Sequence, residues 1–405
     1  MTTSDYHDSA YSWYRLGATL IIAVFGNVGM WASIVVLPDI QADFATDRAL
    51  ASLPYTATMI GFGLGNYVVA RAVDRYGVVA SLIGAGALMG LGSLAAALSP
   101  TVLILSLCQL VIGFASGASF APLIADISHW FLRRRGIAVA VTASGNYLSG
   151  AIWPLVLSGL LVESGWRAVY VALGVLIPAA VIPMAFLLRR QVPSEALAVA
   201  DAAATHRAQT SGFGPRTLMI LLSVAGIGCC VAMSMPQVHI VAYCVDLGYG
   251  PTVGAEMLSL MLLGGVASRL VSGLLADWLG GVRTLLIGSV LQMVALMLYL
   301  PYDGLVSLYL VSLIFGLSQG GIVPSYAIIV REYLPSRGAA GRVGLVLMIT
   351  ILGMALGGWM SGWIYDATGS YRLAFINGIA WNVLNIAIML MLLIRTRPRA
   401  SAVPA

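Results

Sequence analysis

The stretch MLSLMLLGGVASRLVSGLLADWLGG, residues 257–281, decides how this chain folds. Up to Asp277 its residues are apolar or small except for Arg269, and about 20 such residues in a helix cross the roughly 30 Å hydrocarbon core of a bilayer. A guanidinium in that core costs between about 3 and more than 10 kcal/mol, unless it has a compensating partner. The stretch therefore predicts a membrane-crossing helix whose charge has a structural or a functional use.

The whole chain shares the apolar character of this stretch. Of its 405 residues 60% are hydrophobic and 9% charged, and the mean hydropathy is +0.94. Soluble domains carry about 25% charged residues. We therefore predict an all-α membrane protein with twelve transmembrane helices. These spans, numbered 1 to 12 in chain order, are 16–38, 52–73, 78–98, 102–125, 137–161, 167–188, 217–243, 254–276, 283–301, 305–330, 343–364 and 371–394.

The basic residues predict the orientation, and all 21 of them are arginine. If both termini are cytoplasmic, 17 arginines fall in cytoplasmic segments, three lie outside, and Arg269 lies within span 8. Arginine enrichment marks the cytoplasmic side of a membrane protein. We predict a multi-pass protein of the cell membrane, located in a bacterial inner membrane, with both termini cytoplasmic. The net charge of +5 then reflects topology and predicts no nucleic-acid binding.

The two halves of the chain repeat the same landmarks at an offset of about 203 residues. Such a repeat predicts two pseudo-symmetric six-helix bundles with a substrate site near the middle of the membrane. The predicted parts are an N-terminal bundle 1–188, a cytoplasmic linker 189–216, a C-terminal bundle 217–394 and a cytoplasmic tail 395–405. The matching landmarks are Asp74-Arg75-Tyr76-Gly77 with Asp277-Trp278-Leu279-Gly280, Gly113, Gly117 and Pro122 with Gly316, Gly320 and Pro324, and Gly165 with Gly369.

With these motifs the chain resembles the major facilitator superfamily over essentially its whole length. Asp74-Arg75-x-Gly77 and Gly273-x-x-x-Asp277-x-x-Gly280-x-x-Arg283 are similar to the cytoplasmic loop signature of that family. The first motif departs from the signature at Ala70, where a glycine is usual. The resemblance implies that Asp74, Arg75, Gly77, Asp277, Gly280 and Arg283 form gate motifs, which pair charge with neighbouring helix ends and help to hold an outward-open state.

Within the family the chain resembles the branch of monocarboxylate transporters and oxalate–formate exchangers. The fragment HWFLRRRGIA, residues 129–138, is similar to the span 4–5 junction of that branch, and Arg269 stands where the branch has its carboxylate-binding arginine. One fixed charge favours a substrate with a single carboxylate. Three positions differ from charged residues of the branch: Thr350 replaces a lysine of dicarboxylate exchangers, and Gly265 and Trp31 replace an aspartate and a lysine of animal carriers.

Arg269 is the leading candidate for binding a substrate. A guanidinium holds a carboxylate through two parallel hydrogen bonds and keeps its charge at any relevant pH. It lies about 12 Å along the helix from Asp277, well inside the bilayer. The equivalent position in the first half is Asn66, so the predicted site is charged on one side and polar on the other. Alternatively, Arg269 is a structural residue bound to backbone carbonyls or an acidic side chain. We expect its small neighbours Gly265, Ser272 and Gly273 to leave space in front of the charge.

Other polar residues inside the spans are weaker candidates, because each can either contact substrate or hydrogen-bond across a helix pair. Phe120 would supply an aromatic wall for the site. His239, with Glu256, would carry a proton or gate access, or His239 is a solvated structural residue. Asp126 and His129 are assigned to the cytoplasmic gate. The remaining substrate-binding candidates are Asn27, Asn66, Asn146, Tyr147 and Gln319.

We predict a secondary active transporter that moves a small organic monocarboxylate by alternating access, by proton symport or anion exchange. Its expected partners are the organic anion, a proton or a counter-anion, and membrane lipid, and we expect a monomer. One alternative is efflux of drugs or other hydrophobic compounds, against which stands a buried charge that repels cations. Another is a transporter-like substrate sensor. The spans show no Ser/His, Asp/Asp or His-metal cluster, so we expect no enzyme activity, no cofactor and no metal.

Overall fold

A computed structural model describes residues 7–46, 50, 53–192, 213–249, 251–301, 304–335 and 338–395. The regular structure of these residues is helical throughout. Most of the predicted linker 189–216 and nearly all of the predicted tail 395–405 lie outside the described residues.

Within these ranges, ten helices are long and apolar enough to cross a membrane. The two remaining predicted spans are helical as well. Span 2 is the helix Leu53–Tyr76, and span 5 is the part of Arg135–Ala185 before Gly165, whose non-helical backbone separates it from span 6. Span 2 is less apolar because Asn66 and the charges of Arg71, Asp74 and Arg75 lie on it. The prediction of twelve membrane-spanning helices is thus confirmed.

The chain forms two compact units. One contains Met1–Pro193 together with Arg337–Ile351, and the other contains Ser194–Ser336 together with Leu352–Ala405. The first part of span 11 therefore belongs to the first unit, whereas the predicted boundaries kept this span wholly in the C-terminal bundle.

In the first unit, spans 1 and 4 are each broken into two helices. Asn27 interrupts span 1, and a turn of 3₁₀ helix followed by Phe120 interrupts span 4. The helices are Ala10–Gly26 and Val28–Val35 (span 1), Leu37–Asp43, Leu53–Tyr76 (span 2), Val78–Ala97 (span 3), Val102–Ser116, Gly117–Ser119 and Ala121–Ser128 (span 4), and Arg135–Ala185 with Phe186–Leu188 (spans 5 and 6).

In the second unit, span 10 is broken at Gly320 and Gly321. The helices are Pro215–Asp246 (span 7), Pro251–Leu279 (span 8), Gly281–Leu298 (span 9), Leu305–Gln319 and Ile322–Tyr333 (span 10), Ala339–Thr368 (span 11, shared with the first unit) and Tyr371–Arg395 (span 12).

Four glycines show that the sequence repeat extends to the backbone. Gly77 and Gly280 have φ of 85° and 82° at the turns between spans 2 and 3 and between spans 8 and 9. Gly165 and Gly369 have φ of 77° and 66° between spans 5 and 6 and between spans 11 and 12. Glycine is the residue that adopts this left-handed conformation without a steric penalty. The same sharp turn therefore recurs at matching places in both halves.

Glycines also bring neighbouring spans into close contact. A Cβ on Gly61 or Gly65 of span 2 would lie 2.1 or 2.0 Å from a carbonyl oxygen of span 4. A Cβ on Gly353 or Gly357 of span 11 would lie 3.0 or 2.6 Å from a Cα atom of span 7. Helices in a membrane associate through such close packing, because lipid provides no hydrophobic force between them.

A buried ion pair joins three elements at one end of the first unit. Arg15 of span 1 is 1% exposed and binds both carboxylate oxygens of Asp126 in span 4, at 2.8–3.0 Å. Its Nη1 atom donates to the carbonyls of Leu188 and Arg190, at 2.9 and 3.0 Å, where span 6 ends. Its guanidinium lies 4.7 Å from the ring centroid of Trp130. Asp126, predicted to be a gate residue, thus has a partner within its own unit.

An exposed ion pair follows span 1. Asp43 accepts from the Nη1 atom of Arg167 at 2.5 Å, and the two side chains are 42% and 46% exposed. The Arg167 guanidinium holds the pKa of Asp43 below its usual range. Solvent screens an exposed pair of this kind, so it contributes little to stability.

The two ion pairs provide a matched test of burial. Asp126→Asn leaves the buried Arg15 without its carboxylate, and we expect a loss of about 3 kcal/mol in the free energy of unfolding. Asp43→Asn should cost less than about 1 kcal/mol. Thermal unfolding of the purified variants measures both. Equal losses of stability in the two variants would show that the buried Arg15–Asp126 pair matters no more than the exposed pair.

Candidate functional site

The break in span 10 creates a specific chemical need inside the membrane. In a continuous helix the carbonyl of Gly320 would accept from the backbone nitrogen four residues later, but that residue is Pro324, which has no N–H. A backbone group without a partner in hydrocarbon costs several kcal/mol. The Gly320 carbonyl therefore needs a donor from elsewhere.

Arg269 of span 8 supplies that donor. Its side chain is 4% exposed, and its Nε–H donates to the Gly320 carbonyl oxygen at 3.0 Å. The sequence predicts two uses for Arg269, and this contact is the one expected if the arginine has a structural role and binds a backbone carbonyl. It also fixes the guanidinium by one edge. A guanidinium has two further nitrogens, Nη1 and Nη2, and in general such a pair can bind a carboxylate end-on while an Nε bond is kept.

Small residues beside Arg269 pack against the break of span 10. A Cβ on Gly320 would lie 2.1 Å from the carbonyl oxygen of Gly265, and a Cβ on Gly321 would lie 2.0 Å from the hydroxyl of Ser272. The lack of a Cβ on Gly320 and Gly321 therefore allows the break of span 10 to pack directly on Gly265 and Ser272 of span 8. The expectation that these two residues leave space in front of the charge stays a prediction.

The first unit has the same arrangement with the opposite hydrogen-bond polarity. Asn66 of span 2 is fully buried, its Oδ1 accepts from the backbone N–H of Ala121 at 3.0 Å, and its Nδ2 donates to the carbonyl of Phe62 at 2.7 Å. Ala121 is the first residue after the break in span 4 and lies 203 positions before Pro324. Both breaks contain a proline, but at this offset Pro122 stands one position later than Pro324, so Ala121 keeps an N–H that takes an acceptor from span 2. The contacts favour a structural role for Asn66.

Two further candidates are buried amides with unused hydrogen-bonding atoms. Asn27 donates from Nδ2 to the carbonyls of Ala23 and Ser119, at 2.7 and 3.5 Å, but its Oδ1 has no partner among the described residues. Gln319 stands directly before Gly320, and neither its Nε2 nor its Oε1 has a partner in the described part of the chain. Both amides retain hydrogen-bonding capacity for a ligand.

The remaining candidates for substrate contact are Phe120, Asn146 and Tyr147. Phe120 is buried at the break of span 4, with its ring centroid 5.9 Å from that of Phe62. Asn146 and Tyr147 are half-buried on span 5. The carbonyl of Asn146 accepts from the indole nitrogen of Trp31 at 3.0 Å, so Trp31 joins span 1 to span 5. The assignment of Phe120, Asn146 and Tyr147 to substrate binding stays a prediction.

His239 and Glu256 have separate partners. The Nε2 atom of His239 lies 2.8 Å from the Gly358 carbonyl, and its Nδ1 lies 3.2 Å from the hydroxyl of Tyr371. A carbonyl only accepts, so Nε2 carries the proton. Glu256 is exposed and accepts a hydrogen bond from the hydroxyl of Tyr309. These contacts tie His239 to spans 11 and 12, and a role in proton coupling or gating remains a prediction.

The first cytoplasmic loop motif caps a helix. The Asp74 carboxylate accepts from the backbone N–H groups of Ala340 and Gly341, at 3.2 and 2.7 Å, at the start of span 11. A carboxylate there satisfies free N–H groups and interacts favourably with the positive end of the helix dipole. Arg75 is exposed, with its guanidinium 5.2 Å from the ring centroid of Tyr76.

The second motif uses a residue that the sequence analysis missed. Glu332, at the end of span 10, accepts from the backbone N–H of Gly281 at 3.1 and 3.0 Å and so caps span 9. Asp277 is half-buried, and Arg283 is exposed in the first turn of span 9. The sequence contains no pattern that links Glu332 to a residue about 50 positions earlier.

Asp8 is a second residue that the sequence analysis missed. Its carboxylate accepts from the backbone N–H groups of Leu132, Arg133 and Arg134, at 3.0–3.1 Å. It thereby fixes the basic loop between spans 4 and 5. This loop is part of the fragment 129–138 that resembles the monocarboxylate transporter branch.

Comparisons with known proteins agree with this architecture. The family model described as Major Facilitator Superfamily matches residues 19–343 and 246–405. The chain therefore belongs to the Major Facilitator Superfamily, a family of membrane transporters.

Its relatives include named transporters. Human Monocarboxylate transporter 11 is 30% identical over 396 residues, which cover 91% of this chain and 80% of the relative. Monocarboxylate transporter 13 of Bos taurus is 28% identical over 324 residues, which cover 77% and 73% of the two chains. The crystal structure of FucP, a transporter of the superfamily, in the outward conformation superimposes with a TM-score of 0.72 at 14% identity, covering 95% of this chain and 99% of that one. This last similarity concerns the fold alone.

The role of Asn66 at the break of span 4 can be tested by removing its amide. Asn66→Ala leaves the buried N–H of Ala121 without its acceptor and should cost about 1–3 kcal/mol in the free energy of unfolding. Ser81→Ala is the control, because this hydroxyl donates to the Gly77 carbonyl four residues earlier along the chain. The control should change stability by less than about 0.5 kcal/mol. If thermal unfolding shows the two variants to be equally stable, the Asn66 amide does not stabilise the break of span 4.

Proposed function

We propose that this protein transports a small organic monocarboxylate across the cell membrane by alternating access. The observation that carries the proposal is a buried arginine in the interior of span 8, fixed by its Nε edge to the carbonyl of a broken helix. The relationship to transporters named for monocarboxylates supports the substrate class.

Arg269 suits this role because its orientation is set before substrate arrives. The bond from Nε to Gly320 restricts rotation of the guanidinium, so less conformational entropy is lost when a carboxylate binds. The two Nη atoms match the two oxygens of a carboxylate in a planar, bidentate arrangement.

A single carboxylate is the preferred anionic group. Thr350 stands where dicarboxylate exchangers of the branch have a lysine, and its hydroxyl donates to the Leu347 carbonyl of its own helix at 2.7 Å. A second carboxylate on the substrate would therefore lack the matching fixed charge and would be costly to desolvate.

Transport is driven by proton symport or by exchange against another anion. The distribution of arginine supports a protein with both termini in the cytoplasm, in a bacterial inner membrane.

Uptake into proteoliposomes tests the role of Arg269. Arg269→Gln removes the charge but keeps an amide N–H for the Gly320 carbonyl. We expect uptake of the monocarboxylate to fall by about 100-fold or more, since each hydrogen bond to a charged group is worth about 1.5–3 kcal/mol. Arg269→Lys should restore little activity because an ammonium lacks the planar pair of donors.

Two controls separate binding from folding in this experiment. Arg372→Gln, at an exposed arginine at the start of span 12, should transport like the wild type. The thermal unfolding midpoint of Arg269→Gln without ligand should stay close to that of the wild type. A folded Arg269→Gln variant with undiminished uptake would refute the proposal.

Competition measures the preference for one carboxylate. Oxalate should inhibit uptake of the labelled monocarboxylate at least about 10-fold more weakly than acetate, because its second charge must be desolvated without a partner. Inhibition by oxalate as strong as that by acetate would show that a second positive group serves the site.

A further inference from the structure

Three buried oxygen atoms without hydrogen-bond partners occur near the break of span 1. They are Asn27 Oδ1 on span 1, Ser119 Oγ on span 4 and Ser149 Oγ on span 5. All three side chains are fully buried, and none of these atoms has a partner among the residues that the structure describes. A buried polar group normally has a partner, so three such oxygens need an explanation.

Contacts bring two of these residues together at the helix breaks. Asn27 ends the first helix of span 1, and its Nδ2 donates to the Ser119 carbonyl at 3.5 Å. Ser119 ends the 3₁₀ turn of span 4, and its hydroxyl lies against Gly26, where a Cβ would approach it to 1.7 Å. The C-terminal ends of two helical segments therefore meet at Asn27 and Ser119.

The third oxygen belongs to the face of span 5 that packs against span 1. Gly145, Ser149 and Trp153 follow one another at intervals of four residues and so share one face of the helix. A Cβ on Gly145 would lie 2.5 Å from the Cβ of Ala23, and the indole nitrogen of Trp153 donates to the Val24 carbonyl at 3.0 Å. Ser149, between these two contacts, is thus on the face that packs against span 1.

Ser119 and Ser149, like Thr19 and Ser93, differ from several hydroxyls of the same unit that have a partner within their own helix. Hydroxyls in membrane helices commonly donate to the carbonyl four residues earlier, which satisfies them within their own helix. Ser119 and Ser149 make no such bond in the described structure. The hydroxyls that do are those of Thr58, Ser81, Ser106, Thr142 and Ser144.

Three buried oxygens without a hydrogen-bond donor among the described residues favour a cation at this point. The first helix of span 1, whose C-terminal end carries a partial negative charge, ends here, and the helix Val28–Val35 begins at the same break. The opposing N-terminal end, where span 4 resumes, has its Ala121 N–H bound by Asn66. Oxygen atoms of side chains and of interrupted helices are the ligands that coordinate Na⁺ in membrane transporters.

We propose that Asn27, Ser119 and Ser149 form a binding site for Na⁺ inside the first unit. Asn27 contributes its amide oxygen, and the two serines contribute their hydroxyl oxygens. The coupling role of this ion rests on the proposed function: one Na⁺ carried with one monocarboxylate makes a neutral cargo, and it would replace the proton or counter-anion in the transport cycle.

Thermal unfolding of the purified full-length protein, without any carboxylate, tests the site. Replacing choline chloride by NaCl at constant ionic strength should raise the unfolding midpoint of the wild type, and KCl should raise it less. The Na⁺-dependent shift should be lost in Ser149→Ala and Ser119→Ala, because each removes one ligand oxygen. It should persist in Ser144→Ala, the matched control, whose hydroxyl donates to the Ala140 carbonyl on the same span.

A wild-type midpoint that is the same in NaCl, KCl and choline chloride would overturn the proposal and assign these oxygens to a bound water. A full Na⁺ shift in Ser149→Ala and Ser119→Ala would overturn it as well. Because the measurement contains no carboxylate, failure of the Na⁺ site leaves the proposed transport untouched, and failure of carboxylate uptake leaves the Na⁺ site untouched.

Discussion

A helix that is interrupted inside a membrane exposes backbone groups that water cannot satisfy, and this constraint governs the site. Span 10 is interrupted because Pro324 offers no N–H to the carbonyl of Gly320. Arg269 meets that need from span 8 and is itself fixed by it. One hydrogen bond therefore explains why the break is tolerated and why a charged side chain has a defined orientation in an apolar environment.

The same constraint explains the chemical asymmetry between the two halves. At the offset of 203 residues Ala121, which has an N–H, corresponds to Pro324, which has none, while the proline of the first break, Pro122, stands one position later. Asn66 supplies a neutral acceptor at the first break. Arg269 supplies a donor that carries a charge at the second. In the proposed transporter, this charge is the element that selects an anion.

Much of the fold could be predicted from the sequence because its determinants are local. Apolar length predicted the twelve spans, and the repeat that pairs Gly77 with Gly280 is also present in the backbone, where both have a positive φ. The partners of polar side chains could not be predicted in the same way. Arg15 and Asp126 are 111 residues apart in the chain, and no periodic pattern connects them. Gly265 was expected to leave space, but glycine also permits close helix contact, and only the packing distinguishes the two uses.

The most direct measurement of the central claim is ligand-dependent thermal unfolding of the wild type and of Arg269→Gln across a panel of small carboxylates. A ligand at 100 times its dissociation constant stabilises the folded state by about 2.7 kcal/mol. The account predicts that at least one monocarboxylate stabilises the wild type and leaves Arg269→Gln unchanged. Equal stabilisation of both proteins by the same carboxylate would contradict it.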